Sequence, residues 1–280
     1  MRILLAAMAF AIGWTCVAQA GEARTRYTIK RGDVAIDVID EGRGPLMVLL
    51  PSSARDSEDY DAVAEGLAKA GFRVLRPQPR GAGASTGPTE GITLHDLAND
   101  VAFTIENARD GRAIVVGHAF GNWVARMTAV DHPSLVRGVV IVAAAAKNYP
   151  KELLVSLRDA GNVTLPDAQR VAALKVAFFA PGNDASVWLA GWHPKMAAYQ
   201  RPIIAGPKEE EWWSGGSAPL LDLQALQDPF RPRSTANDIK AEFGDRVTIA
   251  TVDNASHALI PEQPAAVVAA IAGWARTLKP

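Results

Sequence analysis

The stretch Gly117-His118-Ala119-Phe120-Gly121 decides the reading of this chain. It follows a short apolar run, Ala113 to Val116, and opens a helical pattern that carries Trp123 and Met127. Strand, sharp turn and helix in immediate succession leave no room for a side chain two places either side of the centre. Glycine stands at both places. This is the spacing of G-x-S-x-G, in which the central side chain sits on a strained turn and is held up to solvent. Here the central residue is Ala119, which carries no nucleophilic atom.

Working outward, apolar runs of strand length recur along the chain. Val34 to Ile39 alternates inward and outward, and Leu46 to Leu50 is continuously apolar between Gly44-Pro45 and Pro51. Phe72 to Leu75, Val136 to Val142, Pro219 to Gln224 and Val247 to Val252 complete the set. Short runs apolar on both faces belong to a parallel sheet covered by helices on each side. Helical patterns lie between them. Thr93-Leu94-His95-Asp96 is a capping box, Leu97, Val101 and Ile105 recur four apart, and Gly111 lies beyond the end. A last helix is expected from about Pro261, with Val267, Ile271, Trp274 and Leu278 as one apolar stripe. The alternation predicts an α/β doubly wound sheet. Residues 147–218 break the rhythm. They hold no clear strand, and prolines at 150, 166, 181, 194, 202 and 207 interrupt their helical patches. Such an insertion is expected to cap one end of the sheet. The domain reading is therefore residues 21–146 and 219–280 as a core and 147–218 as a helical cap.

Residues 1–20 are read as a signal peptide to be removed first. Arg2 is the charged start, Ile3 to Gly13 the apolar stretch, and Ala18-Gln19-Ala20 the cleavage site. The apolar stretch is shorter than the roughly 20 residues a membrane span needs. The expectation is an exported protein, periplasmic or secreted, with no membrane span after cleavage. The one cysteine, Cys16, leaves with the peptide. Disulfides and Cys-ligated zinc are therefore excluded from the mature chain.

With 29 Lys+Arg against 30 Asp+Glu, the chain offers no basic face for nucleic acid. Hydrophobic residues make up 49% and charged residues 21%, as in a globular protein with a substantial core. Gly81, Gly83 and Gly87 do not spell the dinucleotide fingerprint, and Pro88 stands where its helix would begin. The five histidines show no ligand spacing such as H-E-x-x-H, so neither a metal nor another cofactor is expected. His95 and His132 are read as solvated, His118 as packed beneath its strand, Arg80 as a brace between loops and Glu209 to Glu211 as a solvated face.

Two further sites stand at strand ends. Asp228 lies in Ala225-Leu226-Gln227-Asp228-Pro229-Phe230, and His257 lies in Asn254-Ala255-Ser256-His257-Ala258. Nucleophile position, acid, then histidine is a recognised chain order. With Leu50-Pro51-Ser52-Ser53, Arg80-Gly81-Ala82-Gly83-Ala84-Ser85 and Pro261-Glu262-Gln263-Pro264, the chain resembles the α/β-hydrolase fold superfamily in its cap-bearing, esterase-like branch. The resemblance spans nearly the whole chain after residue 20. It implies that His257 is the base, Asp228 its orienting acid, and the backbone N–H groups of Phe120 and Ser53 the oxyanion donors. Pro51-Ser52 departs from the usual His-Gly, and Ala119 departs decisively at the nucleophile.

Loss of the nucleophile costs a serine hydrolase on the order of 10⁶ in kcat. Four readings stay open at this point. The His257–Asp228 dyad can act without a covalent step on a small, largely apolar ester or carbonyl compound. It can serve a cofactor-independent lyase or oxygenase. The chain can be a non-catalytic ligand binder, or a serine hydrolase whose nucleophile was removed by engineering. Ser52 and Ser53 are the nearest hydroxyls that would replace it, and both read more simply as loop residues bonding their own backbone. Trp188 and Trp192 lie four apart, as if on one helical turn with His193 beside them, and are expected to wall the pocket.

Overall fold

The computed structural model describes residues 24–279. The segment read as a signal peptide lies outside the described residues. Eight strands form one sheet: β1 (Thr25–Arg31), β2 (Val34–Glu41), β3 (Leu46–Leu50), β4 (Arg73–Pro77), β5 (Ala113–His118), β6 (Val136–Val142), β7 (Leu220–Ala225) and β8 (Val247–Val252). Their spatial order is β1-β2-β4-β3-β5-β6-β7-β8. From β4 to β8 every pairing is parallel. At the other edge β2 runs antiparallel to both β1 and β4. The sequence reading missed β1. Only Tyr27 and Ile29 turn inward, with Arg26, Thr28 and Lys30 exposed between and beside them, so this edge strand carries little apolar signal.

The strand period of two divides the core. Leu46, Val48 and Leu50 of β3, with Ala113 and Val115 of β5, face one layer. Met47, Leu49, Ile114 and Val116 face the other. The first layer is filled by α2 (Leu94–Ala108) and α3 (Phe120–Asp131), through Leu97, Val101, Ile105, Val124 and Met127. The second is filled by α1 (Asp61–Lys69) and the C-terminal helix (Pro264–Thr277), through Val63, Leu67, Val267, Ile271 and Trp274. Burial on both faces is why the central strands read as continuous apolar runs.

The Thr93–Asp96 capping box forms, with Thr93 N–H donating to Asp96 Oδ2 at 2.8 Å. The helix ends at Ala108, and its left-handed cap is Arg109 (φ 59°) rather than Gly111. The expected last helix is two, a single turn at Leu259–Glu262 and then Pro264–Thr277, because Pro264 has no N–H to continue the first.

Between β6 and β7 run α4 (Leu153–Gly161), α5 (Asp167–Ala177), α6 (Pro194–Ala205) and α7 (Glu209–Trp212), with a 3-10 turn at Ala185–Trp188 and no strand. Pro202 sits inside α6 and does not end it, contrary to the expectation that it breaks a helix. This insertion has its own apolar cluster. Leu153, Leu174, Phe178 and Trp188 pack with Phe230 and Ala258 of the core. Trp212 and Trp213 do not join that cluster. Trp212 stacks on Trp123 of α3, ring centroids 4.2 Å apart, and belongs to the first core layer.

Candidate active site

The carboxyl ends of four strands meet the insertion at one place, where ligands bind in open α/β sheets. At the end of β5 the chain turns through Ala119 with φ 47° and ψ −112°, a conformation costing an alanine about 1–3 kcal/mol. The turn closes because its flanks are glycine. A Cβ on Gly117 would stand 2.1 Å from the Gly121 carbonyl oxygen, and one on Gly121 would stand 2.4 Å from the Leu50 oxygen. Ala119 N–H is held by Val142 O at 3.0 Å. Phe120 begins α3, so its N–H has no intrahelical acceptor.

After β7 and β8 two loops are stitched together. Leu226 N–H donates to Val252 O at 3.0 Å, and Gln227 N–H donates to Ala255 O at 3.0 Å. This brings His257 Nδ1 to 2.9 Å from Asp228 Oδ2. The other Asp228 oxygen accepts from Phe230 N–H at 2.8 Å. An ionised carboxylate only accepts, so Nδ1 carries the proton and Nε2 presents its lone pair. Nε2 has no hydrogen-bond partner among the described residues. The rings of Phe230 and Phe178 lie 4.6 and 5.6 Å from the imidazole.

Two positioning groups carry little sequence signal. His118 is fully buried, and its Nε2 donates to the His257 carbonyl at 2.7 Å. Burial, then the neighbouring His257, pushes its pKa down to about 3, so this ring stays neutral. Glu262 accepts from Ser256 N–H at 2.7 Å through one oxygen and from Ala180 N–H at 2.6 Å through the other. It thus ties the histidine loop to the insertion.

The loop after β3 is the fourth element. Ser53 does not bond its own backbone, as was expected. Its Oγ donates to Gln200 Oε1 at 3.0 Å. Trp188 and Trp192 are not on one helical turn, since Trp188 ends the 3-10 segment and Trp192 lies beyond it. Their rings nevertheless meet edge to face at 6.0 Å, and Trp188 lies 6.0 Å from His118. Arg55, buried between the loop and the insertion, lies over both indoles. His193 pairs with Asp56 at 2.7 Å. Arg80 braces Asp100 and the Pro88 carbonyl, both at 2.7 Å. His95 and His132 bond Asp131 and Asn99 on the surface. A cavity of about 60 Å³ lies against Leu50, Pro51, Phe120, Gly121, Tyr199 and Gln200, with mainly apolar walls. Among the described residues no group of three His, Cys, Asp or Glu side chains is arranged to hold a metal ion.

A glycine-flanked elbow after β5, an acid after β7 and a histidine after β8 stand in the chain order of the α/β-hydrolase fold. The chain belongs to the alpha/beta hydrolase fold family, whose pattern matches residues 45–187. It is 32% identical over 202 residues to 2-(acetamidomethylene)succinate hydrolase of Mesorhizobium japonicum, covering 71% of this chain and 67% of that protein. It is 25% identical over 272 residues to the AB hydrolase superfamily protein YfhM of Bacillus subtilis, covering 85% and 93%. Among solved structures, E-2-(acetamidomethylene)succinate hydrolase superposes with a TM-score of 0.74 at 20% identity, covering 91% of this chain and all of that one. A thermophilic esterase from Thermogutta terrifontis gives 0.71 at 21%, covering 91% and 98%. At such identities the structural likeness speaks to the fold.

Proposed function

We propose that this protein is an enzyme that acts on a small, largely apolar ester or carbonyl compound by general-base catalysis without a covalent intermediate. His257 is the base, Asp228 its orienting acid, and the N–H groups of Phe120 and Ser53 are the oxyanion donors. The observation that carries the reading is the 2.9 Å His257–Asp228 bond, which fixes the tautomer and leaves Nε2 as an acceptor without a protein partner. In hydrolysis, Nε2 takes a proton from water while the water oxygen bonds to the carbonyl carbon. The carbonyl electron pair moves to its oxygen, which the two N–H groups hold. The ester C–O bond then breaks, and the leaving alkoxide takes the proton from His257. A site without its nucleophile retains roughly 10³–10⁴ over water through such groups.

An apolar substrate fits the rings around His257 and the small cavity beside Phe120. Hydrolysis agrees with the name of the Mesorhizobium japonicum relative, 2-(acetamidomethylene)succinate hydrolase. In this reading the β6–β7 insertion is the cap, Trp188 and Trp192 wall the pocket, and the protein works after export.

Ala119 itself favours a second reading, a ligand binder without turnover. Hydrolysis of p-nitrophenyl acetate by the parent, His257→Ala and Ala119→Ser separates the two. Parent turnover that His257→Ala abolishes supports the proposal. A parent no faster than His257→Ala refutes it, and strong activity in Ala119→Ser alone then identifies a hydrolase scaffold lacking its nucleophile.

A further inference from the structure

In the loop that carries Ser53, each residue from Ser53 to Asp56 is bound to the β6–β7 insertion. Ser53 Oγ and Ala54 N–H both donate to Gln200 Oε1, at 3.0 and 2.7 Å. Ala54 O accepts from His193 N–H at 2.9 Å. Arg55 forms a backbone bridge with Trp192, and its guanidinium donates to the Ala190 carbonyl at 2.6 Å. Asp56 pairs with His193. None of these partners lies in the core that the loop grows from.

Gln200 stands out among them because it acts on a strained peptide. Residues Ser52 to Arg55 form a turn closed by Arg55 N–H to Ser52 O at 3.2 Å. Its third residue, Ala54, has φ 60°. A turn of this kind prefers glycine there, and an alanine relaxes to negative φ by rotating the peptide before it. That peptide joins Ser53 to Ala54, and its N–H is the one Gln200 holds. Gln200 is buried on α6, so water does not compete for its oxygen. Gln200 Oε1 also takes the Ser53 hydroxyl, so its loss frees the Ser53 side chain and the peptide that follows together, and the Ser53 backbone, N–H included, is then no longer held in place.

We infer that Gln200 is a positioning residue for the oxyanion site: its side-chain oxygen locks the Ser53–Ala54 peptide, so the Ser53 donor is set only while the insertion is seated on the core. This inference rests on the proposed use of Ser53 N–H as an oxyanion donor. Docking of the insertion and assembly of the oxyanion site are then one event. Gln200 touches no reacting atom, and its contribution falls on the transition state rather than on substrate binding.

The test uses Gln200→Leu, which keeps the length and removes the acceptor, and Gln200→Glu, which keeps an acceptor oxygen. Both are made in the Ala119→Ser background and assayed with p-nitrophenyl acetate. Loss of a whole oxyanion donor costs on the order of 10²–10³ in kcat. A displaced donor is expected to lower kcat at least about tenfold, over and above any change in KM from the place of Gln200 in the cavity wall. Gln200→Glu recovers most of that loss. A Leu variant with unchanged kcat, a loss confined to KM, or a Glu variant as damaged as Leu overturns the inference. A crystal structure of Gln200→Leu in the parent gives a readout independent of activity. Ala54 is expected to leave the positive-φ region, and an Ala54 that keeps its present conformation overturns the inference. If Ala119→Ser is inactive toward esters, the assignment of Ser53 N–H as an oxyanion donor fails there, and the structure of Gln200→Leu still decides the lock.

Discussion

Acidification to about pH 5 should weaken this protein through one buried ring, His118. In the unfolded chain His118 takes a proton near 6.5, whereas in the fold burial holds it neutral down to about pH 3. Between those two values the unfolded state binds one more proton than the native state, so stability falls as pH falls. The contribution is fully present above 6.5 and fully lost below about 3. Each pH unit crossed in that window removes about 1.4 kcal/mol, which makes the loss about 2 kcal/mol at pH 5. That figure requires only that the folded ring be neutral at pH 5, and its lack of solvent contact ensures this. The control is His118→Leu, which forfeits the bond to the His257 carbonyl equally at every pH and has no titrating ring at this position, so the pH-dependent part of the difference belongs to His118. Urea unfolding at pH 7.5 and 5 gives the comparison. The parent should lose about 2 kcal/mol more than the variant between the two conditions. Equal losses would refute the reasoning, because His118 would then titrate alike in both states.

Other consequences can be checked one at a time. Gly121→Ala drives a Cβ to 2.4 and 2.6 Å from the carbonyl oxygens of Leu50 and Pro51. Backbone cannot yield as a side chain does, so this should cost about 3 kcal/mol and lower Tm by roughly 5–10 °C in a thermal scan. In an active Ala119→Ser background, Asp228→Asn should cut kcat on the order of 10⁴ by reversing the His257 tautomer while leaving the circular dichroism spectrum unchanged. Sequencing of the exported protein should begin at Gly21, and a chain that keeps Met1 or starts elsewhere would contradict the reading of Ala18-Gln19-Ala20 as its cleavage site.

The elbow was legible because its constraint is local. Gly117 to Gly121 are five residues of one turn, and the crowding that demands glycine arises within that turn and against the strand beside it. The parallel core was legible for the same kind of reason, since burial on both faces writes itself into each strand as an unbroken apolar run. Open-edge β1, with charged and polar residues on its exposed face, writes no such signal. Asp228 and His257 could be paired in the sequence only through the resemblance and their places at strand ends. The 2.9 Å bond between them is a property of two loops that meet through Gln227, Ala255 and Ser256.

Tertiary structure alone decided where each aromatic and polar group of the insertion lies. Four tryptophans there look alike in sequence, yet Trp188 and Trp192 pack toward His118 and Arg55 while Trp212 and Trp213 fill the layer beneath α3. Gln200 and Glu262 are ordinary polar residues in the sequence. Each becomes a brace only when a segment distant along the chain, Ala54 for Gln200 and Ala180 for Glu262, brings it a backbone N–H to hold. By itself the sequence determined the sheet apart from β1, the elbow and the absence of a nucleophilic atom at Ala119, because these depend on residue type and near spacing. Folding decided how the insertion grips the loop after β3, because hydrogen bonds between distant segments depend on where each backbone group is left without a partner.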